Sequence, residues 1–168
     1  VKLHLIAFAI LFVLTGIFTN AVGQTTRRDS TRIPKAYWVG SGGGFSFLGD
    51  VEIMYNANAE IGNHWLITSL AQVEAKFFGS GNANIFTFGL QAGKVYKRGT
   101  GIFALSAGFA IMRVNDQKTA GVPVLIQAHT VILQTVGFGI NLYANLNTIS
   151  PSAGLNLTVA LGRMATHN

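Results

Sequence analysis

Three glutamates, one histidine and a few amides carry whatever chemistry this 168-residue chain could perform. Glu52, Glu60 and Glu74 are candidates for proton transfer or ion pairing. Lys76 lies in phase with Glu52 and Glu74 near the same strand ends. His129, two residues after Gln127, is the only histidine inside a strand-like run: His4 and His167 sit near the termini and His64 sits in a turn beside Trp65. That leaves no two histidines at metal-ligand spacing. A Ser–His–Glu hydrolase would need a serine beside His129. Ser106 has the right parity, but no G-x-S-x-G nucleophile signature occurs and nothing in the sequence places the two together. Ser41-Gly42-Gly43-Gly44 lacks the GK[ST] ending of a phosphate loop. The sequence therefore predicts no catalytic residue, cofactor or metal site. It predicts a polar network of Glu52, Glu60, Glu74, Lys76, Gln91, Gln127, His129, Asn141 and Tyr143.

The elements that must hold this network show themselves most clearly near the end of the chain. In TVGFGINLYANLN, Val136, Phe138, Ile140, Leu142, Ala144 and Leu146 share one parity, and Gly137, Gly139, Asn141, Tyr143 and Asn145 the other. SAGLNLTVALGR repeats the pattern, with Leu155, Leu157, Val159 and Leu161 against Gly154, Asn156, Thr158 and Gly162. Period-2 alternation means strands. A soluble sandwich would show water Lys, Glu and Thr opposite its apolar face, not Gly and Asn. An apolar outside with a small, polar inside is the pattern of a transmembrane β-barrel.

Eight such runs are predicted, at 38–47, 51–61, 64–75, 84–96, 101–114, 122–133, 135–146 and 152–163. Most follow the alternation; the sixth is the least regular, which suggests a bulge. Connections at Gly49-Asp50, Gly79–Asn82, Asn115–Gly121 and Asn147–Pro151 are expected on the outside. Those at Gly62-Asn63, Lys97–Gly101 and Gln134 are expected on the periplasmic side, together with both termini. Aromatic residues then fall into two belts. Tyr37, Trp38, Trp65, Tyr96, Phe103 and Phe138 lie at periplasmic strand ends, and Phe45, Phe47, Phe77, Phe78 and Phe86 at outer ends. Lys94 and Arg113 carry outward parity near strand ends, where snorkelling is expected. Inward glycines let a narrow wall curve and make room for the larger polar groups.

Composition agrees. Charged residues are only 11% and Gly accounts for 20 positions, too few charges for a soluble surface and too much Gly for a helical protein. There is no Cys, hence no disulfide or thiolate site. Residues 1–23 read as a signal peptide, with Ala21 and Gly23 at the cleavage positions. Residues 24–36 follow as a flexible basic periplasmic tail holding Arg27, Arg28, Arg32 and Lys35. Residues 37–164 form the barrel domain. An exported chain does not meet nucleic acid; the basic stretch reads as a solvated linker, with contact to anionic lipid headgroups or an acidic partner as the alternative.

The ending GVPVLIQAHTVILQTVGFGINLYANLN…SAGLNLTVALGR, the leader and the Gly-rich first strand resemble small outer-membrane β-barrel proteins of Bacteroidetes-type bacteria. Many outer-membrane barrels end on a terminal aromatic, whereas this chain continues past Arg163 as Met-Ala-Thr-His-Asn. The expectation is an all-β, eight-stranded antiparallel up-and-down barrel in the outer membrane. It would be non-enzymatic, with a filled lumen and no open pore, and would have a structural or interaction role. Expected partners are outer-membrane lipid, lipopolysaccharide and other envelope proteins. A lipid-modifying barrel enzyme and a soluble lipocalin-like binding barrel are the alternatives.

Overall fold

The computed structural model describes residues 36–47, 51–61, 64–75, 85–114, 117–133 and 135–164. They form eight strands: β1 (Ala36–Ser46), β2 (Val51–Ile61), β3 (Trp65–Ala75), β4 (Ile85–Arg98), β5 (Gly101–Val114), β6 (Gln117–Leu133), β7 (Val136–Asn147) and β8 (Ser152–Arg163). Each strand pairs antiparallel with the next, and β8 pairs with β1 to close the barrel. Closure removes the sheet edges that an open sheet of alternating apolar strands would expose. Of the leader and tail expected at 1–36, residues 1–35 lie outside the described residues, as do Lys76, Phe77 and Phe78, while Ala36 opens β1.

Register sets the shape. The hydrogen-bonded line from Ala36 runs through Glu60, Leu66, Gly93, Ser106, Leu125, Tyr143 and Gly154 and returns to β1 at Ser46. One circuit thus climbs from residue 36 to residue 46. With about 3.3 Å per residue and about 4.8 Å between strands, that stagger tilts the strands about 40° and gives a backbone radius of about 8 Å. The shortest strands, at 11 residues, then stand roughly 27 Å tall, enough to cross a hydrocarbon layer.

Burial follows the pleat and is inverted relative to a soluble protein. Leu90, Phe109, Leu146, Leu157 and Leu161 face outward and are exposed, while Glu52, Gln72, Gln127, Asn141 and Asn156 point inward and are buried. By the tilt above, the ring of Tyr96, Trp65, Phe103 and Phe138 lies about 20 Å from the ring of Phe45, Phe47 and Phe86. These are the two belts the sequence predicts, with one correction. Trp38 faces the lumen and is fully buried. Its neighbours of like parity, Gly40, Gly42 and Gly44, have no side chains to reveal which face is inward.

Several strand ends differ from expectation by one or two residues, and β6 differs by more. β6 begins at Gln117 rather than 122, pairing Gln117–Gly121 with β5 from Val114 to Ala110. The hairpin therefore extends as sheet where a loop was expected. β4 continues to Arg98 and closes on β5 through Gly99-Thr100, with Gly99 at φ 56°. Positive φ at the first of two loop residues is the hairpin geometry that matches strand twist. The Thr100 carbonyl accepts the Val131 N–H at 2.8 Å, tying this turn to β6. The irregularity expected in the sixth strand is a register shift between Val131 and Leu133.

Candidate functional site

Inward residues stack in four levels. At the end that holds Ala36 and Met164, the lumen is filled by an apolar cluster including Trp38, Leu66, Val95, Ile102, Val131 and Met164. A polar level lies above it. Asn56 donates to Gln127 Oε1 at 3.0 Å, Gln127 donates to Asn58 Oδ1 at 2.9 Å, and Thr68 donates to the same oxygen at 2.8 Å. These bonds join β2 and β3 to β6 across the lumen. Nearby, Ser106 Oγ donates to Gln91 Oε1 at 2.6 Å. Met54, Leu70, Leu125 and Tyr143 form the next, largely apolar level. Asn141 directs its amide at Met54 Sδ, 3.8 Å away.

Two of the three glutamates of the network stand at the far end. Glu52 and Glu74 are register partners on β2 and β3, both buried. Each reaches over to β8: Ser152 Oγ donates to Glu74 Oε1 at 2.9 Å, and Asn156 Nδ2 donates to Glu52 Oε2 at 3.2 Å. Between them, a Cβ on Gly154 would lie 2.5 Å from Glu52 Oε2, so the absent side chain makes room for the carboxylate. Gln72 Nε2 gives Glu74 a second donor, an amide, at 3.2 Å. The Tyr143 hydroxyl sits among Glu74, Thr87, Ser152 and Asn145. A carboxylate in so narrow a lumen needs such donors, because an unsolvated charge is costly.

Glu60 is separated from this group and lies at the opposite end. Buried at the mouth of the apolar cluster, it pairs with Lys97 Nζ and stands 3.3 Å from His64 Nδ1. Sequence reasoning missed Lys97 because Lys-Arg-Gly-Thr-Gly reads as a turn. Continuing the inward parity of Gln91, Gly93 and Val95 by one step would have found it. Lys97→Met is expected to destabilise the folded barrel by about 3 kcal/mol, since it leaves a buried carboxylate behind. The Lys97→Met/Glu60→Gln pair should recover most of that loss. Denaturant titrations in detergent micelles measure both.

His129 meets neither a glutamate nor a serine among the described residues. Its Nε2 lies 2.9 Å from Thr158 Oγ1, and Ser106 is committed to Gln91. Outward-facing Lys94 sits over the Trp65 ring at 3.8 Å, a cation–π contact at the belt.

A closed eight-stranded antiparallel barrel with an apolar exterior and a polar, hydrogen-bonded interior is a small barrel of the transmembrane kind. No family model matches the sequence, and no curated protein matches it either. Solved structures do share the fold. The N-terminal β-barrel domain of Pseudomonas aeruginosa OprF is similar at a TM-score of 0.60 and 9% identity, over 77% of this chain and 98% of that one. Neisserial surface protein A is similar at 0.56 and 15% identity, over 77% and 95%. A de novo designed transmembrane β-barrel is similar at 0.56 and 11%, over 79% and 98%. At these identities the likeness is one of fold.

Proposed function

We propose that this chain is an integral outer-membrane barrel with a structural or interaction role in the cell envelope, without catalytic activity and without an open pore. The observation that carries this is the arrangement of the lumen. One end is packed by Trp38, Leu66, Ile102 and Val131, and the levels above are bridged wall to wall by side-chain hydrogen bonds. An eight-stranded barrel is only just wide enough for such filling. Its outer wall meets lipid, and the rims are the surfaces left for lipopolysaccharide or envelope proteins. The pattern of residues 37–163 favours a Bacteroidetes-type barrel.

Neither alternative finds equal support. A soluble lipocalin-like barrel needs a polar exterior around an apolar cavity, whereas here the exterior is apolar and the lumen carries polar levels beside apolar ones. A lipid-modifying enzyme needs an activated nucleophile at a membrane interface. The His129–Thr158 pair is instead shut inside the wall, and His129 Nδ1 has no partner among the described residues to orient the ring. Reconstitution into planar bilayers tests the reading. The wild-type protein should give no stable conductance, and Trp38→Ala/Leu66→Ala should allow ions through. A steady wild-type current would refute the closed lumen.

A further inference from the structure

The outer wall carries a groove of about 470 Å³ across β4 to β7 at the end that holds Ala36 and Met164. Its floor is made of small residues on β6, Ala128 and Thr130. Tyr96 and Phe103 wall it on one side and Phe138 on the other, all exposed. Register places Phe103 beside Ala128 and Thr130 beside Phe138, so the aromatic rings flank a trough along the sixth strand.

The groove is graded along the barrel axis. Ala128, paired with the belt residue Phe103, lies two residues farther from the rim than Thr130, which pairs with Gly101. Arg98, exposed beyond the aromatic belt, closes the lower end. A cation and a hydroxyl at the interface, with an apolar trough rising from them, complement an anionic phosphate attached to an acyl chain. A peptide seated there would have to satisfy its own backbone within the hydrocarbon layer. A lipid carries no such requirement.

We propose that this groove binds one phospholipid, with the phosphate on Arg98 and Thr130 and an acyl chain along Ala128 between Phe103 and Phe138. The site rests on the reading of the chain as a membrane barrel. The test uses the full chain folded into phosphatidylcholine vesicles containing a minor fraction of phosphatidylglycerol, then extracted in mild detergent for native mass spectrometry. One phosphatidylglycerol per barrel should survive extraction. Arg98→Gln should lower its retention about tenfold, the loss of a charge-assisted hydrogen bond. Ala128→Trp, which fills the floor from the lipid side, should lower it similarly while the barrel still shifts on a gel when heated. Excess inorganic phosphate should leave the lipid in place.

Equal retention in wild type and both variants, with folding intact, would overturn the site alone. So would release of the lipid by inorganic phosphate, which would show a phosphate site without an acyl chain. A lipid-free mass of two chains would assign the groove to a second copy and overturn the lipid. Failure of the wild type to fold in vesicles would overturn the membrane reading, and the site with it.

Discussion

Leu157→Arg is expected to destabilise the inserted barrel by about 2–4 kcal/mol, whereas Leu146→Arg should cost about 1 kcal/mol or less. The two leucines are almost equally exposed, at 66% and 63%. In a soluble protein, neither substitution would move stability by more than about 0.5 kcal/mol. What separates them is depth. Leu157 occupies the middle of β8, and its register partners are Gly43 on β1 and Ile140 on β7. Leu146 is one residue from the end of β7, beyond the upper aromatic belt's inner edge. An arginine there reaches headgroups and water by extending its stem. At position 157 the guanidinium must enter hydrocarbon or drag water inward. Refolding titrations into phospholipid vesicles measure the difference, and equal costs would contradict the placement of the bilayer around the barrel.

Gly93→Ala should cost about 3 kcal/mol, as much as a badly overpacked core residue. A Cβ at Gly93 would fall on the carbonyl oxygen of Leu105 and lie 2.6 Å from Ser106 Cα. The obstacle is main chain on the adjoining strand, so no rotamer change relieves it. Gly108 stands in the reciprocal position, with its own Cβ meeting the Leu90 carbonyl and lying 2.6 Å from Gln91 Cα. Together the two glycines let β4 and β5 approach closely where a wall of about 8 Å radius must bend. Gly43 is the control. It faces outward, and a Cβ there would meet only the Glu52 carbonyl at 3.7 Å. Gly43→Ala should be neutral or stabilise by about 0.5 kcal/mol through the unfolded chain. Midpoints of unfolding in micelles discriminate these outcomes.

Most of the barrel is legible in the sequence because alternation is strong wherever both faces carry side chains. β5 and β8 appear with the bounds expected, and the inward parity of Glu52, Glu60, Glu74, Gln91, Gln127 and Tyr143 follows from it. Legibility fails where a face is silent. Gly40, Gly42 and Gly44 hide the inward side of β1, so Trp38 reads as a belt residue although it packs in the lumen. Gln117–Gly121 has the composition of a loop and becomes strand only because β5 offers it a partner. The site is less legible than the fold. Asn56 meets Gln127 71 residues away in sequence, and Asn156 meets Glu52 104 residues away. Such pairings depend on closure and stagger, which periodicity alone does not specify. Lys97 is hidden because it opens the turn-like run Lys97–Gly101.

The most direct test of the account is heat-modifiability combined with fractionation of cells that express the intact gene. The protein is expected to sediment with the outer membrane and to run at one apparent mass unheated and another after boiling. A soluble periplasmic or secreted product that runs identically in both states would contradict it.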